Sequence, residues 1–271
     1  MYSGIILRRG SGRLVGVHQK IDRVARRQIK KLISADEYFP PILKILHFEG
    51  LNGPDGIKRK SPSKDEPWHY IDPTDPEDLG LVTLINDHIY NLSHALSSGN
   101  EVRAAFEAAW LAHAVVDGLT PAHHYPLDDK IEELWGKSHL ERTSIREKTI
   151  IKGDGARDTF SKNWQYWGAK GVFTAHIAFE WGVASAITSN RFTSCTPTQS
   201  DIKRLKKTGF EAVFLSSVYR INRLGMYEKF ASNGWTQRLA NQTKNVLIPE
   251  IINVVCLAWY QAIQDSKEVG K

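Results

Sequence analysis

The chain has 271 residues, enough for one large domain or two small ones. Its 41% hydrophobic content, with 8 Trp and 10 Phe, supports a sizeable core and excludes a disordered or fibrous polypeptide. Lys and Arg outnumber Asp and Glu by 36 to 30, a net charge of +6 that suits anionic substrates such as phospholipid or nucleic acid and equally serves solubility.

The amino terminus has Ile5-Ile6-Leu7 as its longest apolar run, too short for a signal-peptide core. No stretch reads as the roughly 20 consecutive apolar residues that a membrane span needs. The expectation is a soluble, cytoplasmic protein. A first helix is predicted from Leu14 to Ile33, with Val17, Ile21, Val24, Ile29 and Leu32 on one side. Lys20, Arg23, Arg27, Lys30 and Lys31 form its basic opposite face. Pro40-Pro41 opens a short helix towards His47, and a loop rich in Gly, Pro, Ser and Lys covers Glu49 to Asp75. Helices follow from Pro76 to Leu96 and, after a Ser97-Ser98-Gly99-Asn100 turn, from Glu101 to Asp117, stopped by Gly118 and Pro121. Tyr125 to Asp158 is polar and lacks long-range periodicity. Three longer helices are predicted over 160–188, 200–230 and 236–265. Alternating Val/Ile/Thr runs are scarce and no linker is visible, so the reading is an all-α fold in one domain, 1–271.

Two cysteines, Cys195 and Cys256, are too few and too far apart for a disulfide framework or a zinc-finger spacing. The informative segment is Ala108-Ala109-Trp110-Leu111-Ala112-His113-Ala114-Val115-Val116-Asp117, apolar on nearly every side. His113 and Asp117 nevertheless share one face of it, four residues apart. A buried carboxylate needs a cation or several hydrogen bonds to offset its desolvation. A metal satisfies both side chains; a simple His–Asp hydrogen bond in the core does so equally well. The pattern returns in the apolar run around His176 and Glu180. Two such pairs on two buried helices strengthen the metal reading, because helical bundles build metal sites from facing helices. Between them lies Thr120-Pro121-Ala122-His123-His124-Tyr125, where His123 is placed to turn back towards His113 and His124 is expected to be a solvent-exposed loop residue.

His113-x3-Asp117-x5-His123, with Pro121 two residues before the last histidine, resembles the bacterial zinc-dependent phospholipases C and the related fungal and plant zinc single-strand nucleases. His18, Asp55 in Pro54-Asp55-Gly56, His69 in His69-Tyr70-Ile71-Asp72-Pro73, and His176-x3-Glu180 fall in the same order as that family's remaining ligands. The resemblance spans residues 14 to 185. It implies a multi-helix bundle in which Asp55, His69, His113 and Asp117 hold one zinc ion and His123, His176 and Glu180 a second. His18, with Asp117 bridging, would help to hold a third. It further implies phosphodiester hydrolysis by a metal-activated water that Asp55 orients or deprotonates. The chain departs from the family twice. No Trp stands near its start to supply the amino-terminal ligand of the third metal, and His176 lies further beyond His123 than the family's spacing. His139 is nearer that distance but lacks a carboxylate four residues on, so His176 is preferred.

Other candidates read as structure. His88 and His94, six apart, cannot share a helical face as i,i+4 ligands do and suggest surface or packing roles. His47-Phe48-Glu49 is a reserve ligand segment. Lys58-Arg59-Lys60 reads as a solvated charge run or a receiver of substrate phosphate. Trp164, Trp167 and Trp181 read as core residues rather than a stacking platform. Four functions compete: a phospholipase C-like phosphodiesterase, which leads; a nuclease or nucleotidase on the same metals; a non-catalytic metal-binding domain of the same fold; and a metal-free bundle.

Overall fold

The computed structural model describes residues 1, 2, 4, 16–56, 69–125, 127–138, 141, 142, 144, 147, 150–169 and 171–269, with 127–129 described by backbone alone. The expected helix start at Leu14, the Lys58-Arg59-Lys60 run and the alternative ligand His139 lie outside them.

The described residues form helices joined by turns and loops, with no strand among them. Helix α1 spans Val17–Ile29, and α2, Ile42–Ile45, leads into 3-10 turns at Leu46–Phe48 and Gly50–Asn52. Helices α3, Gly80–Ser97, and α4, Glu101–Gly118, form a hairpin. Its turn is set by Gly99 in the left-handed region (φ +69°) and by the Asn100 side chain, which accepts from the Arg103 amide at 3.0 Å. A 3-10 turn at Pro121–His124 follows, then α5, Leu127–Trp135, α6, Ala156–Trp167, and α7, Val172–Ile187. The chain ends in α8, Gln199–Asn222, α9, Met226–Asn233, α10, Gln237–Gln242, a π turn over Thr243–Leu247, and α11, Ile248–Val269.

Helix α11 is the axis of the bundle and packs on α1, α3, α4 and α8. It buries nearly every side chain from Ile251 to Ile263, including Trp259, whose indole N–H donates to the Ala108 carbonyl at 2.9 Å. Cys256 and Cys195 are buried free thiols. The expectation that no segment is apolar enough to cross a bilayer is corrected here. Residues 237–269 contain a window with mean hydropathy 1.7, but 72% of that window is buried inside the bundle, as befits a central helix.

Several predicted boundaries shift for identifiable reasons. The single helix expected over 160–188 is two, α6 and α7, parted at Gly168 and Gly171, where an added Cβ would strike backbone carbonyl oxygens at 2.3 and 2.4 Å. The helix over 200–230 kinks at Gly209 (φ +79°) and breaks again before α9. Helix α5 emerges inside the segment read as aperiodic. Trp164 and Trp181, each 61% exposed, and Trp167, 38% exposed, stand on the surface rather than in the core.

A second, small apolar cluster unites Tyr70, Ile131, Ile151 and Tyr166 beneath α5, α6 and the start of α7. It lies beside the polar centre described next, through Tyr70.

Candidate metal centre

Helix α4 delivers His113 and Asp117 from one face into a buried space, where each is 2% exposed or less. The helix can approach so closely because the next residue is Gly118: a Cβ there would lie 2.6 Å from Phe214 Cζ and 2.7 Å from Leu81 Cδ2. After the helix ends, Thr120 folds the chain back. Its hydroxyl donates to Val116 O at 2.7 Å and its amide to Asp117 O at 2.8 Å, and the His123 amide then donates to Thr120 O at 2.8 Å. The turn thus aims His123 at Asp117.

Asp117 is the hub. Its Oδ2 lies 2.5 Å from His69 Nδ1 and 3.3 Å from His113 Nε2. Its Oδ1 faces His18 Nε2 at 3.3 Å and His123 Nε2 at 3.8 Å. Glu180 Oε1, from α7, stands 3.1 Å from His123 Nε2 and 3.0 Å from His176 Nε2. Asp55 Oδ1 approaches His113 Nε2 at 3.8 Å, and its side chain, 29% exposed, is the most accessible of the set. Three groups therefore have ligand atoms close enough together to hold a metal ion: His18, His113 and Asp117; Asp55, His69 and His113, which shares His113 with the first; and His123, His176 and Glu180. All eight residues singled out from the sequence meet here.

The chemistry of this donor set fits metal binding. Both ring nitrogens of His18 and of His113 are buried without a hydrogen-bond partner, although their Nε2 atoms face carboxylate oxygens. The tautomer of His123 is fixed from behind: its Nδ1 donates to the His69 carbonyl at 2.7 Å, which leaves a lone pair on Nε2, 3.1 Å from the Met1 ammonium. Tyr70 stacks on the same ring, with centroids 5.2 Å apart.

Charges in the cluster are strongly coupled. Burial disfavours charge on Asp117, but His123, the Met1 ammonium, His113 and His18 together hold its carboxyl well below the usual range. Glu180 is likewise lowered despite burial, by the Met1 ammonium, His123 and His176. Burial also opposes ionisation of Asp55, and His113 and His69 overcome it. His113 is raised well above its ordinary value, against burial, by Asp117, Glu49 and Asp55. His123 moves the other way, lowered to about 4, mainly by burial.

Three features of the site differ from the sequence reading or go beyond it. The α-ammonium of Met1 lies 2.5 Å from Asp117 Oδ1, 3.1 Å from His123 Nε2 and 3.2 Å from Glu180 Oε1. The Met1 amine thus sits among the candidate ligands, a placement only tertiary structure reveals. Glu49, read as a reserve ligand, is buried behind His113, with Oε2 3.5 Å from Nδ1, while the neighbouring His47 is exposed. His124 is not a solvent-exposed loop histidine. It is 4% exposed and its Nε2 pairs with the Gly118 carbonyl at 3.0 Å, because the 3-10 turn folds it against the end of α4.

Of the surface and packing roles read for His88, it takes the packing one. It is buried, with Nδ1 2.5 Å from Glu107 Oε2, and Arg103 meets the other oxygen of Glu107 at 2.5 Å. His94 lies on the outer side of α3, its Nδ1 2.9 Å from the Tyr90 carbonyl. No family model, curated protein or solved structure matches the chain.

Proposed function

We propose that the protein is a zinc-dependent phosphodiester hydrolase of the phospholipase C type. The observation that carries this reading is the position of Asp117, whose two oxygens each face a different set of imidazoles inside one buried space. A bridging carboxylate between neighbouring cation sites suits a centre of several metals, and an imidazole-rich donor set favours zinc over magnesium or calcium.

Asp55, His69, His113 and Asp117 would hold one ion and His123, His176 and Glu180 a second; His18, with Asp117 bridging, would help to hold a third. Bound there, zinc supplies Lewis acidity to the phosphoryl oxygens, acidity to water and neutralisation of the leaving oxygen. The remaining work falls to side chains. Asp55 is ionised and the most open of the ligands, so its carboxylate is the group placed to orient the attacking water and accept its proton. Water oxygen forms the new bond to phosphorus as the ester P–O bond breaks, and the departing alkoxide takes up a proton from solvent. His123, neutral near pH 7, presents a lone pair rather than a competing charge. Tyr70 packs one wall against water.

The test is hydrolysis of a soluble phosphodiester chromogen by zinc-loaded protein and by the His113→Ala variant. Turnover by the wild type that falls roughly 10²–10³-fold in the variant, the scale of losing an electrostatic stabiliser of the transition state, supports the reading. Zinc binding without turnover would leave a metal-binding domain instead. Side-by-side assays on phosphatidylcholine and single-stranded DNA choose between lipase and nuclease.

A further inference from the structure

One short loop, residues 46–55, approaches His113 at both ring nitrogens. It sends Asp55 to the front of the ring, with Oδ1 3.8 Å from Nε2, and Glu49 to the back, with Oε2 3.5 Å from Nδ1. Glu49 is an extended residue (φ −108°, ψ 173°) between the two 3-10 turns. Gly50 follows it in the left-handed region (φ +60°), and the chain closes at Gly53, where an added Cβ would lie 3.0 Å from Glu49 Cα. The result is a carboxylate only 1% exposed, with neither oxygen hydrogen-bonded among the described residues. An acid buried without a partner costs more than an apolar side chain of its size, so packing alone does not account for Glu49.

The surroundings leave Glu49 as the charged acceptor on that side of the ring. Asp22 of α1, also 1% exposed, lies within electrostatic reach of both Glu49 and His113. Burial and the Glu49 charge hold the Asp22 carboxyl well above the usual range, so it adds no second charge there. An imidazole bound to a metal through Nε2 keeps its one proton on Nδ1, and an acceptor at Nδ1 fixes the ring and raises its basicity. His123 uses a neutral acceptor for this, the His69 carbonyl at 2.7 Å, and a carboxylate is a stronger one. The 3.5 Å approach of Glu49 is longer than a formed hydrogen bond of about 2.7–3.2 Å. Among the described residues, no other partner occupies either atom.

We propose that Glu49 is a positioning residue of the metal centre: it accepts the Nδ1 proton of His113, sets the tautomer of the ring and strengthens Nε2 towards the ion shared with Asp55, His69 and Asp117. The inference rests on the metal-binding part of the hydrolase reading and is independent of turnover.

Zinc affinity is measured by chelator competition on full-length wild-type protein and on Glu49→Gln, which keeps the volume and replaces the charged acceptor by a neutral one. One zinc ion per chain should bind roughly 10–100-fold more weakly in the variant, the usual cost of losing such an outer partner. The ion at His123, His176 and Glu180 should be held as in the wild type. Cobalt in place of zinc adds a spectroscopic readout: the visible bands of one ion should shift in Glu49→Gln, which a packing role would not cause. Nitrogen NMR of the histidine rings in the zinc-loaded wild type, which needs no variant to fold, should show the His113 proton on Nδ1. Equal zinc affinity in the two proteins, or His113 bound to the metal through Nδ1, overturns the positioning role and leaves the hydrolase reading in place. Zinc binding that depends on Glu49 in a protein without phosphodiester turnover removes the hydrolase reading and keeps the role. A wild type that binds no zinc ends both.

Discussion

Asp117 and Glu180 share one cation: the Met1 nitrogen lies 2.5 Å from Asp117 Oδ1 and 3.2 Å from Glu180 Oε1. Two carboxylates from different helices converge on a single point in a space nearly closed to water. Carboxylates buried in this way stay ionised only where positive charge is supplied. The histidines around them supply lone pairs when neutral, so added divalent ions complete the balance in the proposed active form.

The bridging position of Asp117 makes its loss worse than that of Glu180. Asp117→Asn keeps the shape and removes a charge that faces imidazoles on both oxygens, whereas among the imidazoles Glu180→Gln touches those of His123 and His176. Elemental analysis of the two purified variants should show a larger loss of bound metal in Asp117→Asn. Equal loss, or greater loss in Glu180→Gln, would remove Asp117 from the centre of the account.

Much of this centre was legible because helical spacing writes it into the sequence. His113 with Asp117 and His176 with Glu180 are imidazole–carboxylate pairs one turn apart in apolar runs, and the pattern occurs on two helices. His123 was legible from the proline-marked turn. What was hidden depends on tertiary approach. Nothing in Leu46-His47-Phe48-Glu49 shows that Glu49 turns inward behind His113 while His47 turns out. The helices were legible as elements but not in their ends: glycines at 168, 171 and 209 interrupt runs that read as continuous in the sequence.

Metal-free protein should lose stability in alkaline solution. Burial opposes charge on the Met1 ammonium, yet Asp117, Glu180 and Asp55 raise its pKa from 8.0 to about 10. A group raised in the folded state contributes stability that is complete below its unfolded value and lost as pH rises through the folded one. The urea midpoint of chelator-treated protein should therefore fall between pH 8 and pH 10. A midpoint that is flat across that window would show that the ammonium is not held as described.

Gly118→Ala should destabilise the fold by about 1–3 kcal/mol, the usual cost of overpacking a close helix contact. The new methyl would meet Phe214 Cζ at 2.6 Å and Leu81 Cδ2 at 2.7 Å, and relief requires α4 to back away. Because Asp117 is the preceding residue, metal affinity should weaken with stability. Urea denaturation and chelator competition measure the two effects. A variant as stable as the wild type would mean that α8 and α3 do not press on this point.

Elemental analysis of wild-type protein, purified with zinc and dialysed free of excess, bears most directly on the whole account. About two zinc ions per chain or more are predicted, as a centre with bridged metals requires. Bound zinc well below one per chain would contradict it and leave the histidines and carboxylates as a self-contained buried ion network.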